Sequence, residues 1–192
     1  MEAFLVSAGV VALAEIGDTT QLLALVLAAR FRRPLPIIAG ILCATIVNHA
    51  LAGAVGRWLI EALGPDRLRV ALALSFFAMA IWVLVPDRLA AGAAEAPPRR
   101  GVFATTVIAF FLAEMGDKTQ LATVALAAKY ASFYAVVAGT TVGMMLANVP
   151  AVLISDRLAG RLPARLVHAV AALIFAALGI AVIAGGGAWL LA

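Results

Sequence analysis

The chain carries EIGDTTQ at Glu15–Gln21 and, 99 residues later, EMGDKTQ at Glu114–Gln120. Each of these two motifs lies near the centre of a long apolar stretch and contributes two carboxylates. A charged side chain at the centre of a bilayer costs about 2.5–3.5 kcal/mol, so an ionisable group inside a membrane span indicates a functional site. The motifs therefore predict a membrane protein whose activity depends on buried carboxylates.

The composition agrees with a membrane protein. Hydrophobic residues make up 65% of the 192 residues and charged residues only 12%, whereas a soluble domain has about 25% charged residues. Several apolar stretches exceed the roughly 20 residues that a helix needs to cross the hydrocarbon core. We predict an all-α membrane protein. The net charge of +4 does not indicate a nucleic-acid partner, because the basic residues lie in short loops between the apolar stretches.

Breaks rich in Pro, Gly and charge divide the chain into six predicted transmembrane helices, such as the breaks at Gly64-Pro65 and Pro97-Pro98. The helices are expected at about 3–29, 35–60, 67–88, 102–128, 134–157 and 165–190. They form a first three-helix repeat over residues 1–90, a cytoplasmic linker over 91–101 and a second repeat over 102–192.

An offset of 99 residues aligns the two halves, pairing Gly40 with Gly139 and His49 with Asn148. An odd number of spans in each repeat reverses the second copy in the membrane. Inverted repeats with polar sites near the midplane are common in secondary transporters. We therefore expect two inverted three-helix repeats that bring both motifs to mid-bilayer.

Lys and Arg in short loops predict the orientation, because cytoplasmic loops are richer in them. The loops after predicted helices 1, 3 and 5 carry nine arginines, and the opposite side carries three arginines and one lysine. The arginine-rich side should be cytoplasmic, which places both termini outside.

Carboxylates and amides at a spacing of three share one face of a helix, which makes both motifs candidate metal sites. The six candidate ligands are Glu15, Asp18, Gln21, Glu114, Asp117 and Gln120. Oxygen ligands of this kind suit hard cations such as Ca²⁺, Mn²⁺ and Mg²⁺. The lack of a side chain at Gly17 and Gly116 predicts close approach of another helix or of an ion.

Further polar residues lie within or beside these stretches and are candidates for accessory or proton-coupling roles. They are Thr20, Lys118, Thr119, His49 and Asn148. The four carboxylates and Lys118 sum to −3 when fully ionised. Groups so close together titrate as a coupled set, and some should hold protons when metal is absent. Because metal binding releases protons, a site with alternating access would exchange a cation for protons.

The doubled motif resembles E-x-G-D-[K/R]-[T/S], the signature of the GDT family of cation/proton exchangers. The likeness covers both repeats, the predicted span count and the segment Ala147–Val152. It implies Golgi-type calcium/manganese exchange or bacterial manganese export, with Glu15, Asp18, Glu114 and Asp117 as ligands. Thr19 departs from the pattern, because it stands where the family has Lys or Arg.

From the residues and the resemblance together, we expect a secondary transporter of a bacterial inner membrane. It would export Mn²⁺, or next Ca²⁺, in exchange for protons, with no tightly bound cofactor and no obligate protein partner. The alternatives are a LysE-like small-solute exporter, a channel, and an intramembrane enzyme such as a lipid pyrophosphate phosphatase. An enzyme is disfavoured because Lys118 is the one cationic side chain at mid-membrane depth in the predicted spans.

Overall fold

The computed structural model describes residues 1–82, 101–130, 132–154 and 164–184. These residues form seven helices, which confirms the all-α class. The helices are α1 (Glu2–Glu15), α2 (Thr19–Phe31), α3 (Pro34–Trp82), α4 (Gly101–Glu114), α5 (Lys118–Tyr130), α6 (Phe133–Leu153) and α7 (Ala164–Ala184). Most of the predicted linker, residues 91–100, lies outside the described residues.

The motifs break the helices that were predicted to run through them. Residues 3–29 form α1 and α2, which meet at a bend of 70°, and residues 102–128 lie in α4 and α5. The two single helices predicted here are wrong. The physical reason is the backbone at Gly17 and Gly116, where φ is +82° and +80°, values that glycine adopts without strain and that end a helix.

The second and third predicted helices are joined. Helix α3 continues through Gly64 and Pro65, where the sequence predicted a loop. A proline removes one backbone donor, and helices of membrane proteins tolerate this loss because neighbouring groups satisfy the freed carbonyl.

Two helical stretches of the described residues, Pro34–Leu63 and Phe133–Leu153, are long and apolar enough to cross a membrane. The bent pair of α1 and α2 makes a third when it is counted as one span. The six spans and their inversion stay predictions.

The two halves contact each other through equivalent glycines. A Cβ added at Gly40 of α3 would lie 2.9 Å from Cγ2 of Thr106 on α4, and one added at Gly139 of α6 would lie 3.0 Å from Cβ of Ser7 on α1. The offset of 99 residues converts the first contact into the second. Each half therefore packs one helix onto the same glycine of the other half.

Two apolar clusters make up the core. One joins α1, α3, α5, α6 and α7, with Ala14, Phe76 and Leu126 fully or almost fully buried. The other joins α2, α3, α4 and α6 around Leu27 and Phe110. Both reach the helix breaks, since Ala14 directly precedes Glu15 and Phe110 lies one helical turn before Glu114.

Candidate metal site

Residues of the first motif form hydrogen bonds with one another across the break between α1 and α2. The Asp18 N–H donates to the carbonyl of Glu15 at 3.1 Å. The Gly17 N–H donates to Oε1 of Gln21 at 2.8 Å, and the Thr20 hydroxyl donates to Oε2 of Glu15 at 2.6 Å. These bonds satisfy a donor that the break would leave exposed and hold the Glu15 carboxylate in one orientation.

The second motif repeats this geometry. The Gly116 N–H donates to Oε1 of Gln120 at 2.7 Å, and the Thr119 hydroxyl donates to Oε2 of Glu114 at 2.9 Å. The Asp117 N–H donates to the carbonyl of Glu114 at 3.2 Å. The two similar motifs thus form equivalent hydrogen bonds around their helix breaks.

The glycines were predicted to allow close approach of a helix or of an ion, and for Gly116 the approach of a helix is not found among the described residues. A Cβ added at Gly116 would have no heavy atom within 4 Å. Its role is the positive φ that turns the chain between α4 and α5. Gly17 has the same backbone conformation.

Both breaks meet inside the protein and bring carboxylates from the two halves together. Oxygen atoms of Glu15, Glu114 and Asp117 all lie within 4.8 Å of one another. Glu15 and Glu114 are buried and Asp117 is half-buried. Oε1 of Glu15 and Oε1 of Glu114 have no hydrogen-bond partner within the part of the chain that the structure describes. A buried polar atom without a partner calls for an explanation such as a bound ion.

Asp18, the fourth predicted carboxylate ligand, has a different neighbour. Its Oδ1 forms an ion pair with Nζ of Lys118, and both side chains are buried. The pair joins the start of α5 to the first motif, so the ammonium of one copy neutralises a carboxylate of the other. The other three carboxylates of the motifs form the cluster. The four carboxylates and Lys118 together have a formal charge of −3.

The predicted amide ligands are already engaged. Oε1 of Gln21 and Oε1 of Gln120 accept the glycine N–H bonds, and Nε2 of Gln21 donates to the carbonyl of Ala147 on α6 at 3.0 Å. Their role as metal ligands stays a prediction.

His49 and Asn148 are both buried. The two ring nitrogens of His49 have no hydrogen-bond partner among the described residues, and Nδ2 of Asn148 donates to the carbonyl of Met144 at 3.1 Å. In the described part of the chain, neither side chain is hydrogen-bonded to the carboxylates. Their accessory role stays a prediction, whereas Thr20, Thr119 and Lys118 do contact the acidic groups.

An open cavity of about 360 Å³ reaches the second motif. Its walls are α3 on one side and α5 with the preceding turn on the other, and Asp117 and Gln120 lie on its surface. The equivalent residues of the first motif, Asp18 and Gln21, are buried. Of the two equivalent aspartates, Asp117 is therefore the more accessible one.

Sequence reasoning missed the helix breaks and the ion pair across the motifs. The signal for the breaks was present, since Gly followed by Asp pairs a residue typical of helix ends with one typical of helix starts. Nothing in the sequence indicated which aspartate Lys118 would contact.

The site can now be compared with known proteins. The family model described as "Divalent cation/proton antiporter GDT1" matches residues 3–91 and 102–189. The chain belongs to this family. It is therefore a cation transporter of a membrane and not an enzyme, and the family assignment replaces the interpretation as a LysE-like exporter.

The similar curated proteins come from bacteria and plants. A Vibrio cholerae protein named "Putative manganese exporter" is 50% identical over 91% of this chain and 87% of its own length. "GDT1-like protein 3" of Arabidopsis thaliana is 26% identical over 91% of this chain and 68% of its own length. "GDT1-like protein 4" of Oryza sativa subsp. indica is also 26% identical, over 91% and 70%. No solved structure is significantly similar to the chain.

Proposed function

We propose that the protein exports Mn²⁺ from the cytoplasm in exchange for protons, with Ca²⁺ as the next candidate cargo. The observation that carries this proposal is the cluster of Glu15, Glu114 and Asp117, whose oxygens lie within 4.8 Å of one another. Two of the buried glutamate oxygens lack partners within the described ranges, so a cation has acceptors to bind. Carboxylate oxygens suit Mn²⁺ and Ca²⁺, and the name of the Vibrio relative favours manganese.

Proton exchange follows from the charge of the cluster. Three neighbouring carboxylates in a poorly solvated place repel one another, and a divalent cation or protons relieve this repulsion. Metal binding requires deprotonated ligands, so a cation that enters the site displaces protons. Asp18 remains a proposed fourth ligand that becomes available when Lys118 moves away from it.

Export needs an energy source. Moving a divalent ion outward against an inside-negative potential of about 100 mV costs about 4.6 kcal/mol, at about 2.3 kcal/mol for each charge. Entry of two protons cancels this charge movement, so an inward proton gradient would drive the exchange. The carboxylates supply groups that hold these protons after the metal has left.

The proposed topology is two inverted three-helix repeats with both termini outside a bacterial inner membrane. The reciprocal contacts of Gly40 and Gly139 support a two-fold relation between the halves, because a two-fold operation exchanges each contact with the other. Helix breaks at the site also support a transporter, since discontinuous helices form ion sites at mid-membrane depth in many transporters.

His49 is the proposed accessory proton carrier, and Asn148 is its polar counterpart in the second half. Burial and the absence of hydrogen-bond partners for the imidazole among the described residues support this role. His49→Gln should keep metal binding and change the dependence of transport on the proton gradient. An unchanged gradient dependence would remove His49 from the proton route.

Reconstituted vesicles of known orientation test the function. Mn²⁺ loaded on the cytoplasmic side should leave faster when protons are concentrated on the opposite side, and a proton flux should run in the reverse direction. Ca²⁺, Mg²⁺ and Zn²⁺ tested in the same assay rank the cargo. A metal flux that does not respond to the proton gradient would indicate a channel or a uniporter.

A further inference from the structure

The two glutamines that follow the motifs have different partners. Gln21 on α2 holds the Gly17 N–H with its oxygen and donates with Nε2 to the Ala147 carbonyl of α6, in a buried bond of 3.0 Å. Gln120 on α5 makes the equivalent bond to Gly116, and no second bond of its side chain is found in the described part of the chain. The two halves thus differ at one contact, because the bond from Gln21 to α6 has no equivalent from Gln120 to α3 in the described residues.

The same difference appears in access to the site. Gln120 and Asp117 are partly exposed and line the cavity of about 360 Å³ beside α3. Gln21 is 8% exposed and Asp18 is 1% exposed. The glutamine that reaches the opposite helix is buried, and the glutamine that does not lies on the surface of a cavity.

The offset of 99 residues identifies the missing partner. It relates Ala147 on α6 to Asn48 on α3, and α3 forms one wall of the open cavity through Leu51, Ala52 and Val55. In the sequence repeat, the main-chain carbonyl of Asn48 is therefore the counterpart of the Ala147 carbonyl that Gln21 contacts.

We propose that Gln21 and Gln120 are the two gates of the transport cycle. In the state described here the bond from Gln21 to Ala147 closes one side of the site. In the opposite state Gln120 donates to the Asn48 carbonyl and closes its side of the site. Gln21 then no longer donates to Ala147, and the side that it closed becomes open. This inference rests on the proposed transport function and assigns the glutamines a positioning role in place of metal ligation.

The chemistry of the exchange suits a carrier. One amide-to-carbonyl bond breaks while an equivalent one forms, so the number of bonds is the same in both states. In both states the amide oxygen keeps its glycine N–H, and the motif therefore retains its shape while the side chain's nitrogen changes partner.

Cysteine labelling of purified protein in detergent tests the gates. Ala52→Cys reports the open side and Ala151→Cys reports the equivalent position on α6, each in a Cys43→Ser background. Ala52 and Ala151 are both almost fully buried, 3% and 4% exposed, so the labelling rate of each cysteine by a water-soluble maleimide is compared with and without the glutamine substitution. Gln21→Leu removes the bond to Gly17, which both states contain, and the bond to Ala147, which only this state contains. It should therefore raise labelling of Ala151→Cys and lower that of Ala52→Cys, each by about 2- to 10-fold, the range that a difference of one hydrogen bond between the states gives.

Gln120→Leu is the matched variant, and it should shift both reporters in the opposite direction. If a leucine variant does not fold, Gln21→Met and Gln120→Met have nearly the original length and also lack the donor. Labelling rates that do not change, or that change in the same direction in both variants, would overturn the gate assignment.

The labelling needs no metal, so it separates the gates from the proposed function. If the wild-type protein transports Mn²⁺ but the glutamine variants do not change the labelling rates, the gate assignment is wrong and the proposed transport function is unaffected. Reporters that exchange as expected in a protein without Mn²⁺ flux would support the gates and overturn the cargo.

Discussion

The two motifs have the same local geometry and different neighbours. Gly17 and Gly116 adopt the same positive φ, and Thr20 and Thr119 hold Glu15 and Glu114 in the same way. Beyond these bonds the copies diverge. Asp18 is buried against Lys118, whereas Asp117 belongs to the three-carboxylate cluster and lines a cavity.

This difference shows how a duplicated structure can acquire two roles. The helix breaks depend on glycine and aspartate, which both copies retain, so both copies fold alike. The position after the aspartate is Thr19 in one copy and Lys118 in the other. The ammonium of Lys118 forms an ion pair with Asp18 of the other motif. Asp117 has no equivalent lysine in the first motif and belongs to the three-carboxylate cluster.

The largest effect should come from removing that ammonium. Lys118→Thr gives the second motif the residue of the first and leaves Asp18 buried without its cation. Breaking a buried ion pair by losing one partner costs about 3–5 kcal/mol. Thermal unfolding in detergent should show this loss, and the double variant Lys118→Thr with Asp18→Asn should recover most of it. A double variant no more stable than the single one would mean that the pair does not determine the difference between the motifs.

Next in size is the loss of a shared glutamate. Glu15→Gln and Glu114→Gln should each reduce Mn²⁺ transport by at least about 100-fold, because both halves contribute to one cluster and a lost ligand should cost more than the roughly 10- to 100-fold typical of residues that only support a ligand. Glu61→Gln, the same change at an exposed position of α3, is the control and should transport normally. Normal transport by one of the two site variants would show that the motifs work separately.

A smaller effect is expected when the first motif gains the charge of the second. Thr19→Lys adds a second ammonium and changes the formal charge of the set from −3 to −2. Mn²⁺ affinity should fall by about 10-fold, since a like charge near the site opposes the cation. Titration of the purified protein with Mn²⁺ measures this, and an unchanged affinity would mean that residue 19 points away from the cluster.

The smallest effect concerns the backbone that the two motifs share. Gly116→Ala should destabilise the protein by about 1–2 kcal/mol, because a Cβ disfavours the left-handed conformation, although space for the Cβ exists. Gly9→Ala in the middle of α1, where a Cβ is also free of contacts, should stabilise by about 0.5–1 kcal/mol. Equal unfolding temperatures for the two variants would contradict the role assigned to Gly116.

The sequence predicted the helical class from its long apolar stretches, and the doubled motif identified which residues of the two halves are equivalent, because both signals can be read locally. It did not predict the breaks, because each glycine was interpreted as a close-packing position, and the Asp that follows it, a residue typical of helix starts, was interpreted only as a ligand. Nor did it predict that α3 passes through Pro65, since a proline ends some helices and is tolerated in others. The Lys118–Asp18 pair depends on the meeting of two distant breaks, which only the three-dimensional structure specifies.

The central claim is that two motifs build one cation site. Electron paramagnetic resonance of Mn²⁺ titrated into the purified protein counts the bound ions directly. The account predicts one Mn²⁺ for each chain, lost in Glu15→Gln and in Glu114→Gln and retained in Glu61→Gln. Two ions for each chain, or one ion that survives either glutamate substitution, would contradict it.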